Sequence, residues 1–188
     1  MQRLLICIVS LLCILSGCKN MSKEEQENIK IYESYIDAVD KNKGVVSKYI
    51  PFDYKMYVYK QDDDTYKYEI EIYNPQMAMY NIQSIAVDQD IDSNQNVYPC
   101  LGILGDDASV QYNMIPYQSY GKKGYIKMII LDAVSKRNQF TVNVMVTWKD
   151  RTLRNTSRVF FNCSYAQEKG DIEKGEKQTS DLGKSDTK

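Results

Sequence analysis

The sequence predicts a mainly β protein, an antiparallel β-sandwich preceded by one amphipathic helix. Three observations carry this. Apolar residues between Ser22 and Lys41 recur at helical spacing. From Pro51 the period changes to two, in short runs with one apolar and one polar face. Turn residues separate those runs at intervals that suit a sandwich.

The helix is expected over about 23–41. Ser22 stands three residues before Glu25, the spacing of a capping box. Glu24, Glu25 and Glu27 lie where a helix dipole favours negative charge. Ile29, Tyr32, Ile36 and Val39 form its apolar stripe, and Asn42 to Gly44 offers a stop. The stripe is expected to pack on the chain's own domain.

The strands follow in order. Lys55 to Tyr59, Ile82 to Val87 and Tyr125 to Leu131 are apolar runs of strand length. Tyr66, Tyr68, Ile70 and Ile72 alternate with Lys67, Glu69, Glu71 and Tyr73. Phe140, Val142, Val144, Val146 and Trp148 alternate with Thr141, Asn143, Met145 and Thr147. Leu153, Val159, Phe161 and Cys163 share a parity opposite Arg154, Thr156 and Arg158. Each of these three is expected to keep one face in water. Val97 to Ile103 and Ser109 to Tyr112 are weaker strand candidates. Asn74-Pro75, Asp106-Asp107 and Gly121 to Gly124 punctuate the pattern. The sandwich thus spans 51–166. Residues 167–188 mix Lys, Glu, Asp, Gly and Ser, bury too little to offset chain entropy, and are expected to be disordered.

The first residues have a different character. Arg3 is followed by an apolar run from Leu4 to Leu15 and then by Leu15-Ser16-Gly17-Cys18. A charged start, a short apolar middle and small residues before a cut describe a secretory signal peptide. The run is too short for a spanning helix, which needs about 20 residues. With a cysteine after the small residues, the motif resembles the lipobox of bacterial lipoproteins. The resemblance implies cleavage after Gly17, so that 1–17 is a signal peptide and 18–50 a lipid-anchored tether containing the helix. It implies a diacylglycerol on Cys18, with an N-acyl chain on its amine in some hosts, and no other cofactor. The membrane lipid would be the first partner, at the extracytoplasmic face of a bacterial cell membrane. Each buried methylene contributes about 0.8 kcal/mol, and two or more chains anchor stably where one does not.

Composition narrows the functional classes. The 188-residue chain has a formal net charge of -1, so bulk charge points to no nucleic-acid partner. Histidine is absent. That removes the commonest general base and zinc ligand, and with them the Ser-His and Cys-His triads. Outside the signal and Cys18, only Cys100 and Cys163 remain. Two readings compete for them: a disulfide suited to an oxidising compartment, or two separate buried thiols.

Tyr66 to Tyr73, Asn74-Pro75, Asn81-Ile82-Gln83-Ser84 and Asp90 to Tyr98 resemble the opening strands of a bacterial immunoglobulin-like sandwich. Ile115-Pro116-Tyr117-Gln118-Ser119 and Gly124-Tyr125-Ile126 resemble a later part of that pattern, with Tyr117 where glycine is usual. The resemblance covers about 54–148. It implies an extracytoplasmic interaction module and transfers no catalytic residue.

Asp88, Asp90 and Asp92, with Asn94 and Asn96, place oxygen ligands at alternate positions, as calcium loops do. They lack the Gly and Glu of an EF-hand, and a solvated Asx-rich turn is the competing reading. Asp62-Asp63-Asp64 reads as a solvated hairpin tip. Arg154 and Arg158 either pair with Glu69 and Glu71 across a sheet or, with Arg151, form a basic patch for an anionic polymer, headgroup or acidic partner; pairing is the favoured expectation. Tyr54, Tyr57, Tyr59, Tyr66, Tyr68 and Tyr73 suit either a recognition face or a core. The expected function is therefore a non-catalytic, membrane-anchored binding module whose partner is an envelope protein or anionic envelope polymer. The alternatives are a structural subunit of an envelope or secretion complex, and a carboxylate- or calcium-dependent hydrolase.

Overall fold

A computed structural model of the chain describes residues 21–88, 97–118, 123–167 and 178–180. The signal segment 1–17, Cys18, Asp90 and Asp92 lie outside the described residues.

Helix α1 spans Lys23–Lys41. Its capping box is formed. The Ser22 amide donates to Glu25 Oε2 at 2.7 Å, and the Glu25 amide donates to Ser22 Oγ at 3.1 Å. Two otherwise unpaired donors are thereby satisfied at the point where the chain becomes helical. At the far end, Asn42 Nδ2 donates to the Ala38 carbonyl at 2.8 Å, and Gly44 turns the chain with φ 75°. Among the described residues, no helix is long and apolar enough to cross a membrane.

The strands are β1 (Asp53–Lys60), β2 (Tyr66–Tyr73), β3 (Tyr80–Asp88), β4 (Cys100–Leu101), β5 (Met128–Ser135), β6 (Gln139–Lys149), β7 (Thr156–Ala166) and β8 (Gln178–Ser180). They make two antiparallel sheets, ordered β5-β2-β1-β8 and β4-β3-β6-β7. The expected mainly β, sandwich-like architecture with an N-terminal helix is present. Tyr68, Ile70, Ile72, Met56, Ile129 and Leu131 of the first sheet face Ile82, Val142, Val144, Phe161 and Cys163 of the second, all essentially buried. The alternation of β2 and β5 produces this core directly.

The molecule has a third layer. Helix α1 covers the outer face of the second sheet. Tyr32 and Val39 pack there with Ile85, Val87, Ile103 and Met145. Strand β6 is therefore buried on both faces, against the expectation of one wet face: Asn143, Met145 and Thr147 are all buried. The polar residues that read as solvent-facing instead bind the cover. Thr147 Oγ1 lies 2.9 Å from the Tyr35 hydroxyl, and Asn143 Oδ1 accepts from the Gly44 amide at 3.1 Å. Beyond α1 the chain runs along β7. The Ser47 amide donates to the Phe160 carbonyl, and the Phe160 amide donates to Ser47 Oγ, both at 2.8 Å. An edge that would present unpaired backbone groups is covered there.

Several expected boundaries move. Leu153 belongs to the turn between β6 and β7 and not to a strand. The candidate over Val97 to Ile103 reduces to the two residues of β4. Ser109 to Tyr112 forms no strand; Gly105–Ser109 is a 3-10 turn. The chain then rejoins the edge of β3, where the Ile82 amide donates to the Tyr112 carbonyl at 2.8 Å. Three residues of the tail expected to be disordered, Gln178–Ser180, pair with Met56, Tyr57 and Val58 of β1 as strand β8. Without β8, this stretch of β1 would be an open edge.

Cys100 and Cys163 are separate free thiols. Cys100 stands on β4 and packs in the α1 layer, while Cys163 stands on β7 and faces the sandwich core. Strands β3 and β6 lie between them. At about 4.8 Å per strand the two are some 14 Å apart and on opposite faces. A disulfide spans less than about 7 Å between Cα atoms. The expected alternative of a bond between them is therefore corrected.

Candidate binding surface

Ring contacts fix which turns share an end of the sandwich. Phe52, just before β1, sits 6.4 Å from Trp148 near the end of β6. At the other end Tyr68 meets Phe140 at 5.6 Å and Tyr66 meets Tyr165 at 5.8 Å. The first end thus gathers the approach to β1, the β2–β3 connection, the chain after Met114 and the β6–β7 turn. Met79 and Met114 exchange backbone hydrogen bonds of 2.8 and 2.9 Å, which holds the third of these to the second. The opposite end carries Asp62, Asp63 and Asp64 at the exposed β1–β2 tip, as expected for a solvated turn.

The β6–β7 turn is organised by one carboxylate. Asp150 Oδ1 accepts from the Thr152 amide at 3.0 Å, the Thr152 hydroxyl at 2.7 Å and the Arg154 amide at 3.3 Å. Its Oδ2 accepts from Asn155 Nδ2 at 2.6 Å. The bonds from Thr152 and then Asn155 hold the Asp150 carboxyl below its ordinary value of 3.8. A turn tied this way presents the side chains between its anchors. Arg151, Leu153 and Arg154 are all exposed.

Arg158 is exposed on β7, next to the buried Thr147 of β6. The structure therefore brings the three arginines of the expected patch to one hairpin. The favoured pairing with Glu69 and Glu71 does not occur. Those carboxylates belong to β2 of the first sheet, while Arg154 and Arg158 belong to the hairpin of the second. Glu69 is instead taken by Lys67 at 2.8 Å, and Lys67 also reaches Asp132 at 3.5 Å. Among the described residues no ion pair engages Arg151, Arg154 or Arg158.

Large exposed side chains accompany the arginines. Tyr117 is 99% exposed and Tyr49 62%, against 46% for Leu153 and 43% for Met77. Tyr49 is steadied by a 3.3 Å hydrogen bond from its hydroxyl to Gln76 Oε1. Two of the four sit in backbone that disfavours them. Leu153 has φ 59° and Tyr117 φ 56°. A side chain in this left-handed region costs about 1–2 kcal/mol, and Gly or Asn would remove most of that. Strained bulky residues at exposed turn tips are more informative than exposed apolar residues elsewhere. The sequence singled out Tyr117 as standing where glycine is usual, but not Tyr49 or Met77, and it placed Leu153 in a strand. The usable signal was an apolar residue enclosed by Asp, Thr and Asn turn formers.

The remaining candidates fall elsewhere. Asp88 ends β3 and is fully buried. It stands opposite Val142, which in turn stands opposite Cys163. Among the described residues, no group of three or more His, Cys, Asp or Glu could hold a metal ion. The tyrosine cluster divides. Tyr66 and Tyr68 are core, and Tyr54 packs 4.0 Å from the Phe161 ring. Tyr57, Tyr59 and Tyr73 remain half-buried on the outer face of the first sheet. Burial pushes the Tyr68 hydroxyl far above its ordinary value, with the Asp88 charge adding to the shift. It pushes the Cys163 thiol up to about 12 and raises Cys100 as well, so both thiols stay protonated and unreactive near neutrality.

Comparison of the chain with protein-family models, with curated proteins and with solved structures finds no match.

Proposed function

We propose that this chain is a membrane-anchored extracytoplasmic lipoprotein whose sandwich is a non-catalytic binding module. One observation carries the reading: Leu15-Ser16-Gly17-Cys18, placed after Arg3 and a short apolar run, with the capped start of α1 beginning at Ser22. A lipidated Cys18 would leave only residues 19–22 before the helix. That segment reaches about 14 Å when extended, and 19 helical residues add about 28 Å. Helix α1 is itself bonded to β3 of the second sheet through the Tyr35 hydroxyl on Gln83, and to the approach to β4 through the Tyr32 hydroxyl, which accepts from the Tyr98 amide. The anchor would therefore hold the sandwich close to the bilayer on a stiff mount.

The sandwich is of immunoglobulin-like type in this reading, and strand order supports it. Such domains set strands A, B and E together, oppose them with C, F and G, and in variable-type domains add C′ to the second sheet. Lettering β1 to β7 as A, B, C, C′, E, F and G gives E-B-A against C′-C-F-G. The type commonly recognises partners through turns at one end, and here the tied β6–β7 turn with Arg151 and Arg154 occupies such a place.

The test is fractionation of the full-length chain expressed in a bacterial host. The parent is expected in the membrane fraction, resistant to high salt and released by detergent. Cys18→Ser is expected to stay unprocessed or, where processed, to be released from membranes by high salt. A Cys18→Ser chain that is processed and partitions with membranes as the parent does would end the proposal.

A further inference from the structure

We propose that the end of the sandwich bearing Tyr49, Met77, Tyr117 and Leu153 with Arg151 and Arg154 rests directly on the anionic headgroup surface of a bilayer. The contact is separate from the lipid on Cys18. It rests on the lipoprotein reading only for which membrane is near, and a chain without lipid tests it.

The four apolar or aromatic side chains come from four different connections, yet the ring and backbone pairings described above bring those connections to one end. Met77, Tyr117 and Leu153 lie in bends or turns, and Tyr49 lies on the approach to β1. A bilayer interface accepts side chains of this kind, with tyrosine at the headgroup level and leucine and methionine just beneath it. Arg151 and Arg154 flank Leu153 within the same tied turn. An apolar tip between two guanidinium groups matches the interfacial arrangement, with the aliphatic group among the upper methylenes and the cations among the phosphates.

Asp150 and Asp53 keep their negative charge at this end, Asp150 held within its turn and Asp53 accepting from Asn74 Nδ2 at 2.7 Å. Lys48 beside Tyr49 and Lys149 at the end of β6 join Arg151 and Arg154 to leave cations in excess of them. The exposed Asp62-Asp63-Asp64 tip lies at the opposite end, where it would be kept from an anionic surface. Charge thus orients the domain as well as attracting it. The backbone strain at Leu153 and Tyr117 fits the same account, since both positions favour residues that could not serve a membrane tip.

The experiment uses the chain from residue 18 with Cys18→Ser, so that no lipid is attached, and vesicles of phosphatidylcholine with or without phosphatidylglycerol. Co-sedimentation is expected with the anionic vesicles at 0.1 M salt, and loss of it with pure phosphatidylcholine or at high salt. Arg151→Gln with Arg154→Gln is expected to weaken binding about thirtyfold, from the usual contribution per cation at such a surface. Tyr117→Asn with Leu153→Asn is expected to weaken it about tenfold. Asparagine tolerates positive φ, so the second pair is expected to keep or raise the melting temperature, and misfolding cannot explain its loss of binding. Three results would each overturn the proposal: no binding to anionic vesicles, binding that neither pair alters, or binding to soluble polyglutamate or polyphosphate with none to vesicles. None of these depends on whether Cys18 is lipidated in cells.

Discussion

Replacing Tyr35 with phenylalanine keeps the ring that packs under α1 and removes one hydroxyl. That hydroxyl donates to Gln83 Oε1 at 2.7 Å and lies 2.9 Å from Thr147 Oγ1. Gln83 keeps its own bond to the Gly102 carbonyl at 2.8 Å. Thr147, only 2% exposed, is left with a 3.5 Å contact to the Gln83 carbonyl. A net hydrogen bond contributes about 1 kcal/mol, and stranding a buried partner costs more. Two bonds lost therefore put Tyr35→Phe at about 2 kcal/mol. For a chain of this size the melting temperature should fall by roughly 4–8 °C. Thr147→Val should cost a similar amount, but the double variant should cost less than the sum, by about 1 kcal/mol, because both sides of the bond are then apolar. Urea denaturation followed by tryptophan fluorescence reports this well, since Trp148 adjoins Thr147 in sequence. A Tyr35→Phe change within 0.5 kcal/mol of the parent, or strict additivity, would refute the docking of α1 through this network.

Two further outcomes follow from the described geometry. Cys100 and Cys163 should give an intact mass with two free thiols without reduction, and Cys163 should resist alkylation at pH 8 until denaturant is added; rapid modification of the folded chain would contradict its burial. For Asp150, the folded carboxyl titrates below its ordinary value of 3.8. Its stabilising contribution is thus complete above that value and lost as pH falls through the lower folded value. The parent should therefore exceed Asp150→Ala in melting temperature at pH 7, with the gap closing as the pH is lowered below about 4. A gap that stays constant with pH would assign the turn's order to something other than this carboxylate.

The parts of the fold written in local rules were readable from the chain. The capping box at Ser22 and Glu25 placed the start of α1, because cap and helix are decided by residues three apart. The alternation of Tyr66, Tyr68, Ile70 and Ile72 placed the buried face of β2, since only one side of that strand meets a core. Strand β6 misled for a tertiary reason. Thr141, Asn143 and Thr147 are polar, and nothing local says that a helix about a hundred residues earlier will cover Asn143 and Thr147 and use their oxygens. Leu153 misled for a local one: it continues the parity of Val159 and Phe161, but the Asp150 carboxylate gathers four donors and closes a turn before that parity begins. Sheet membership was the least legible property. Glu71 and Arg158 look like complementary strand charges, yet pairing of β3 with β6 and of β1 with β2 puts them on different sheets. The surface at the Trp148 end exists only once that pairing is made.

The chemical state of Cys18 decides most directly whether the chain is lipid-anchored. Intact-mass and N-terminal analysis of the native chain extracted from its own membranes should find Cys18 as the first residue, its thiol carrying a diacylglycerol. A chain that instead retains Met1 to Gly17, with an unmodified Cys18 and no association with membrane, would contradict it.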